Sequence, residues 1–434
     1  MRKLLVFMID ALCSGDIEYM KTLPHFRQVL DNGSYVHHLL PTHPALTYSC
    51  HTSIVTGRYV DGHGICCNEK LERGCLKSDV WFGLKEEIKV PTLLDHARDH
   101  GLTTCSLSWP VTGGADYTYN MPMIIPYNYT GYHPEQYLNG YASDNLMQEY
   151  FWKYGRLMKG AEDRIDAFTM ALAPDIVRDH GQPDVMLVKM CDLDGTRHHY
   201  GVFNEQVREQ LREHDEEFGV LLESVRRYGD YDNTNFIIMG DHGQTDVDDV
   251  LNLNKLFANE GLIRYDSEGN ITSWDVYAHS CCLSCYVELA DPNDQRMYDR
   301  VKDLLEGLKD DPEIRLWYVL DKEQMKERYH LSGPFDFVIE SRRNISFAFS
   351  DNMNIPSIWQ SRIPGDHHVG MATHGSCPER AENTLFIASG PSVKKGVVIE
   401  QANMVDEAVT MARMIGFEMP DTDGRLLTEL LTDC

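Results

Sequence analysis

Three apolar runs in this chain end in carboxylates or imidazoles. Residues 4–9 lead into Asp10. Residues 185–190 lead into Asp192-Leu193-Asp194, with His198 and His199 just beyond. Residues 236–239 lead into Gly240-Asp241-His242-Gly243, and a fourth piece, Ala372-Thr373-His374-Gly375, stands ahead of the run 385–388. Any one of these residues alone reads as a helix cap or a satisfied loop residue. Several strand ends delivering them to one edge is a different matter. Ligands of open α/β sheets bind at the carboxyl ends of strands, and mixed Asp/His sets suit zinc or a similar borderline metal.

The segment Thr47-Tyr48-Ser49-Cys50-His51-Thr52-Ser53-Ile54-Val55-Thr56-Gly57 is the second feature. Its polar residues give way to Ile54 and Val55, and Gly57 stops it, as in a short helix whose N-terminus lies near Thr47. Free backbone N–H groups there would hold an anion. The Thr47 hydroxyl is placed as a nucleophile but is too weak unless a metal lowers its pKa. On local sequence alone, the reading of Thr47 as an N-cap is the stronger of the two.

The elements that must carry these groups follow from the apolar patterning. Runs 4–9, 185–190, 236–239 and 385–388 are apolar on both faces, as strands of a parallel sheet are, and 103–107 is a weaker fifth. Helical patterns lie between them. The clearest, 204–227, puts Val207, Leu211, Phe218, Leu221, Leu222 and Val225 on one stripe, with Arg226, Arg227 and then Gly229 as its stop. This alternation predicts an α/β fold: a doubly wound, mostly parallel sheet with helices on both faces. Between Gly243 and Thr373 the rhythm breaks into polar turns (266–270), a strand-like run (282–289), an amphipathic helix (297–308) and another strand (314–320). The expected organisation is an α/β catalytic core from 1–242 and 374–434, closed by a helix over 406–416, with 243–373 inserted as a smaller α+β cap.

Composition narrows the function classes. The 434 residues carry 40 basic and 67 acidic side chains, a net charge of −27, with 42% hydrophobic residues. That apolar content is enough for a core. The acidity disfavours a nucleic-acid polymer as partner, since such binding needs a basic face. Arg2 and Lys3 ahead of an apolar run resemble a signal peptide, but Asp10 ends that run after six residues, short of the roughly 7–15 a signal core needs. A buried strand is expected instead, and no membrane span is visible. Twelve cysteines scattered over a large chain point to reduced thiols and a cytoplasmic setting. Cys281, Cys282 and Cys285 lack the second Cys/His pair of a zinc site and are expected as free thiols on strands.

Together these motifs resemble the alkaline phosphatase superfamily, and within it the nucleotide pyrophosphatase/phosphodiesterase branch, over nearly the whole chain. Asp10 matches that branch's first-strand metal aspartate, and Thr47, ahead of Ser53-Ile54-Val55-Thr56-Gly57, its nucleophile. Tyr59-x-x-x-His63-Gly64-Ile65 with Asn68, Trp109-Pro110, Asp194-x-x-x-His198 with Gly201, Asp241-His242-Gly243 and His374-Gly375 match further motifs in order. The resemblance implies two zinc ions, or other divalent metals, about 4 Å apart. One would be held by Asp194, His198 and His374, the other by Asp10, Asp241, His242 and the Thr47 oxygen. It implies hydrolysis of a small-molecule phosphodiester or nucleotide phosphoanhydride through a phospho-threonine on Thr47, which water then cleaves.

The chain departs from the family pattern beside the nucleophile. Cys50, a weak donor, stands where an Asn supporting a phosphate oxygen is often found, and Ser49 replaces a usual proline. Cys50 or the backbone N–H groups near Tyr48 are therefore the expected oxyanion contacts. Tyr48 matches an aromatic position on which relatives stack a nucleobase, and reads equally as packing. Tyr127 and Trp81 are further substrate-binding candidates. His367 and His368 rival His374 as ligands, and Gly375 favours His374. Among alternatives, a phosphomonoester or phosphonate hydrolase wants extra positive charge, and only Arg58 lies next to the nucleophile motif. A sulfatase would need C/S-x-P-x-R where Thr47-Tyr48-Ser49-Cys50-His51 stands. A non-catalytic metal-bound scaffold would need lost ligands, and all seven positions are filled.

Overall fold

The computed structural model describes residues 2–76, 80–124, 138–158, 165–348 and 352–432. Its centre is an eight-stranded sheet. The first six strands in chain order are β1 (Lys3–Ile9), β2 (Gly33–Leu40), β3 (Thr104–Pro110), β4 (Tyr119–Met123), β5 (Val185–Met190) and β6 (Thr234–Met239). With Thr384–Ser389 and Val398–Asn403 they lie in the order Val398–Asn403, β2, Thr384–Ser389, β6, β1, β5, β3, β4.

The central strand explains the double winding. Leu5, Phe7 and Ile9 of β1 enter one core cluster with Phe168, Leu172, Phe218 and Leu222 from the helices Ile165–His180 and Glu205–Tyr228. Leu4, Val6 and Met8 point the other way, to Ile54, Ala97 and Met411 from the helices Thr47–Thr56, Leu93–Asp99 and Asp406–Ile415. A strand buried on both faces needs a continuous apolar run, which is what residues 4–9 are. The helix Glu205–Tyr228 opens where Asn204 Oδ1 accepts the Val207 N–H at 3.0 Å, and stops at Gly229.

Register sets the level of the site. Ile9 lies opposite Met190, and Met8 opposite Met239. Hence β1, β5 and β6 end side by side, and the residues after them emerge on one edge.

Neighbouring strands are parallel except for Thr384–Ser389, which runs antiparallel to both β6 and β2. This corrects the expectation of a parallel strand at 385–388. The chain passes His374 at the carboxyl edge and enters its next strand from that edge, so it must run back. Strand β2 was not anticipated, because its sequence, with Ser34, His37 and His38, lacks a continuous apolar run.

Residues 276–341 include a separate antiparallel sheet ordered Val276–Cys281, Ser284–Leu289, Phe337–Ser341, Leu316–Asp321, with the helices Gln295–Gly307 and Lys322–Tyr329. It has its own core around Phe257, Tyr277, Val287, Leu305 and Ile339. The run expected over 282–289 is the second arm of a hairpin, and Cys282 sits in its turn at φ 62° rather than on a strand. Cys281, Cys282 and Cys285 are buried free thiols. No helix among the described residues is long and apolar enough to cross a membrane.

Candidate active site

Asp10 leaves β1 at the carboxyl edge, and Ala11 follows in the left-handed region at φ 61°, a strained conformation for a residue with a Cβ. That turn aims the Ala11 N–H at Asp241 Oδ1, 3.0 Å away. The strand ends of β1 and β6 are thus tied together. His242 Nε2 then lies 3.4 Å from Asp10 Oδ1 and 3.4 Å from Asp241 Oδ2. The second group grows from the helix Asp192–Tyr200, whose first N–H groups, on Cys191 and Asp192, donate to Asp166. Asp194 and His198, four apart on one helix face, approach to 3.2 Å between Oδ2 and Nε2, and His374 Nε2 is 3.9 Å from Asp194 Oδ1. The stacked His242 and His374 rings, 3.8 Å between centroids, join the two groups.

The tautomers are set by backbone acceptors. Nδ1 of His198 donates to Ala372 O at 2.8 Å, Nδ1 of His374 to Ala45 O at 2.9 Å, and Nδ1 of His242 to Gly243 O at 3.2 Å. With Nδ1 so engaged, each Nε2 is the nitrogen left facing the carboxylates, the arrangement of histidines that ligate metals. Asp194 Oδ1 accepts from Gln244 Nε2 at 2.5 Å. Burial works to raise the Asp194 carboxyl, but His198, His374 and His242 outweigh it and hold it well below the usual carboxylate range. Asp10 goes the other way: burial first, then the Asp241 charge, raises it, and Lys189 only partly compensates.

Two observations fit divalent cations at this edge. Asp10 Oδ1 is buried and has no hydrogen-bond partner among the described residues. Asp241 Oδ2 is in the same condition; its neighbour His51 Nδ1, at 3.2 Å, directs its N–H at the Thr47 carbonyl, 2.8 Å away. Buried acceptors of this kind, facing imidazole nitrogens, are groups that a cation satisfies. Asp194, His198 and His374 form one set with ligand atoms within 4.8 Å of one another, and Asp10, Asp241 and His242 form another.

Thr47 is the first residue of its helix, and Leu46 takes the N-cap position. The Thr47 hydroxyl lies 3.1 Å from His242 Nε2, at the wall of a cavity of about 470 Å³ that Asp10, Asp194, His198 and His374 also line. The expected backbone oxyanion contact is corrected here: the Tyr48 N–H donates to Asn68 Oδ1 at 3.0 Å. Cys50 is also corrected. It is fully buried in the core against the sheet, its Sγ is 3.7 Å from Thr42 Oγ1, and it is not among the residues lining the cavity.

Asn68 is the residue the sequence reading did not assign. It lines the cavity beside Thr47, and its Oδ1 is engaged by Tyr48, so its amide NH2 is the end that can meet a ligand. The motif ending in Asn68 supports that placement: His63 Nδ1 accepts the Ile65 N–H at 3.1 Å, and its other nitrogen bonds Ser53 Oγ at 2.9 Å, fastening the loop to the Thr47 helix. Gly64 permits the turn at φ 87°. Lys189 was missed too. It lies in an apolar strand, is fully buried, and places Nζ 2.7 Å from Asp10 Oδ2.

Tyr48 lines the cavity beside Thr47, is buried and meets Trp81 edge-to-face at 5.3 Å. Trp81 lines the cavity. Tyr127 lies outside the described residues. His367 and His368 are set apart from the Asp194 group and gather on Glu69 instead.

A doubly wound α/β fold, with paired carboxylate–imidazole groups beside a helix-borne threonine, fits a hydrolase of phosphoric esters. The family model described as "Type I phosphodiesterase / nucleotide pyrophosphatase" matches residues 4–376, and the chain belongs to that family. Human ectonucleotide pyrophosphatase/phosphodiesterase family member 7 is 24% identical over 419 residues, 94% of this chain and 78% of that protein. Human bis(5'-adenosyl)-triphosphatase ENPP4 is 26% identical over 58% of this chain and 50% of its own length. The solved structure of murine ectonucleotide pyrophosphatase / phosphodiesterase 5, in an inactive form in complex with AMP, superposes with a TM-score of 0.69 at 18% identity, covering 100% of both chains.

Proposed function

We propose that this chain hydrolyses a phosphodiester or phosphoanhydride bond of a nucleotide-like small molecule, with Thr47 as nucleophile and two zinc ions as cofactors. The observation that carries this reading is the Thr47 hydroxyl, 3.1 Å from His242 Nε2, at the wall of the cavity lined by both acidic groups. Asp194, His198 and His374 would hold one ion; Asp10, Asp241, His242 and Thr47 the other. When bound, the ions would supply Lewis acidity that lowers the pKa of the Thr47 hydroxyl and offsets charge on the transferring phosphoryl group.

The chain's own part is positioning. Thr47 Oγ1 attacks phosphorus in line, the bond to the leaving oxygen breaks, and a threonine phosphoester results. Water then cleaves that ester, releasing phosphate or a phosphate monoester and restoring the hydroxyl. The Asn68 amide meets a non-bridging phosphoryl oxygen in both steps. The AMP complex of the murine relative, in an inactive form with a threonine replaced by alanine, supports a nucleotide and a threonine in these roles.

One observation bears on the phosphomonoester or phosphonate alternative. Lys189 supplies a positive charge among the described lining residues, but its ammonium is engaged by Asp10. A cation so committed does little for the second charge of a monoester, and the diester reading is favoured. The test is a chromogenic nucleotide phosphodiester with zinc, beside the matching monoester. Thr47→Ala is expected to remove at least about 10³-fold of the diesterase rate. A Thr47→Ala protein that keeps its rate overturns the mechanism.

A further inference from the structure

A third carboxylate–imidazole group lies at the cavity wall. Glu69 Oε1 is 3.6 Å from His368 Nε2 and 3.9 Å from His367 Nε2. All three ligand atoms fall within 4.8 Å of one another. Glu69 and His368 are buried, and His367 lines the cavity. These separations exceed an N–H···O hydrogen bond, about 2.7–3.2 Å. They lie near the spacing of two ligands on a tetrahedral zinc, roughly 3.3 Å for bonds of 2.0–2.1 Å. The composition, one carboxylate and two imidazoles, repeats that of Asp194, His198 and His374, whose separations of 3.2 and 3.9 Å span the same range.

The surroundings hold the three groups in place without closing the gap. Glu69 Oε2 accepts from Cys67 Sγ at 3.2 Å, leaving Oε1 toward the imidazoles. The N–H groups of His368 and Val369 both donate to Asp366 Oδ1 at 2.9 Å. The His367 carbonyl accepts from Thr373 Oγ1 at 2.6 Å. By contrast, His37, His38 and Glu400, another such group, sit on the sheet edge with the Glu400 side chain 78% exposed.

We propose that Glu69, His367 and His368 bind a third divalent transition metal of the zinc class, with a position left for water. The site is structural. Glu69 follows Asn68 and pairs across a β-bridge with Trp81, whereas His367 and His368 belong to the segment that delivers His374. A metal here clamps the wall carrying the Asn68 amide to the wall carrying a ligand of the catalytic pair. Three-ligand His₂Glu sites are familiar for zinc, and the neutral imidazoles and carboxylate carry one net negative charge to be compensated.

The test counts and locates zinc in the full-length protein. After equilibrium dialysis against low-micromolar zinc, wild type is expected to hold three equivalents, and Glu69→Gln and His368→Gln two each, with melting curves reporting that both variants are folded. A zinc-edge anomalous map of wild-type crystals places the third ion without any variant. No anomalous peak at Glu69 in wild type, a variant that holds as many equivalents as wild type, or a third peak at His37 and His38 in its place overturns the site. A peak at Glu69 with none at the Asp10 and Asp194 groups would instead overturn the catalytic reading above and leave this one standing.

Discussion

Arg197 grips Asp16 with two hydrogen bonds from Nη2, 2.6 Å to Oδ1 and 2.7 Å to Oδ2, and both side chains are almost wholly buried. Its Nη1 reaches the carbonyl of Ala11. Arg197 lies between Asp194 and His198 on their helix, and Ala11 follows Asp10. One guanidinium therefore sets the distance between the two acidic groups from the side opposite the cavity. Arg197→Met leaves Asp16 as an uncompensated buried charge, which costs about 3–5 kcal/mol. Urea denaturation is expected to show a fall in stability of that order, with part of it recovered when Asp16→Asn is added. A variant as stable as wild type would sink this account of the pair.

Asn68 carries two duties that substitution can separate. Asn68→Asp keeps an acceptor for the Tyr48 N–H but puts a negative charge where the amide NH2 stood. Asn68→Ala removes both ends. Loss of an oxyanion donor costs about 10²–10³ in kcat. Both variants are expected to lose at least that much diesterase activity, and only Asn68→Ala is expected to lower the melting temperature. Asn68→Asp with wild-type turnover would remove the amide from the mechanism.

Burial alone would lower the Lys189 ammonium, yet Asp10, Cys191 and Asp241 reverse this and keep it charged. In metal-free protein it is the cation that compensates these carboxylates. Lys189→Met is therefore expected to destabilise the metal-free chain by about 3–5 kcal/mol and the zinc-loaded chain by much less, because the ion takes over the compensation. Calorimetric melting with and without zinc measures both. Equal losses in the two states would show that Lys189 acts through packing.

Glu340 offers a pH signature away from the site. Burial pushes its carboxyl up to about 7, against the Cys377 N–H at 2.8 Å and Arg380 at 3.3 Å. The unfolded chain releases that proton near 4.5. Between these two values the folded chain binds the extra proton, so stability falls as pH rises, by about 3 kcal/mol across the window. Glu340→Gln keeps an acceptor for the Cys377 N–H and does not titrate. Unfolding free energies from pH 4.5 to 7.5 should flatten by that amount in the variant, and an unchanged slope refutes the assignment.

The groups at the strand ends were legible because local chemistry and local geometry coincide there. An apolar run buried on both faces must be a central strand, and whatever polar residue ends it must emerge at the sheet edge, as Asp10, Asp194, Asp241 and His242 do. Asp194 and His198 needed only helical spacing. Other features depended on long-range contacts. Cys50 follows Thr47 by three residues, yet its side chain packs against the sheet, and Asn68 reaches the nucleophile by a loop that His63 folds back.

The linear sequence determined the strands buried on both faces, the helix stripes and the residue types able to hold a cation, since periodicity and side-chain chemistry are local properties. Tertiary packing alone decided that Lys189 faces Asp10, that His367 and His368 gather on Glu69, and that Thr384–Ser389 runs backward in the sheet. Those outcomes depend on which distant segment occupies the neighbouring volume, and no pattern within a single segment encodes its neighbour.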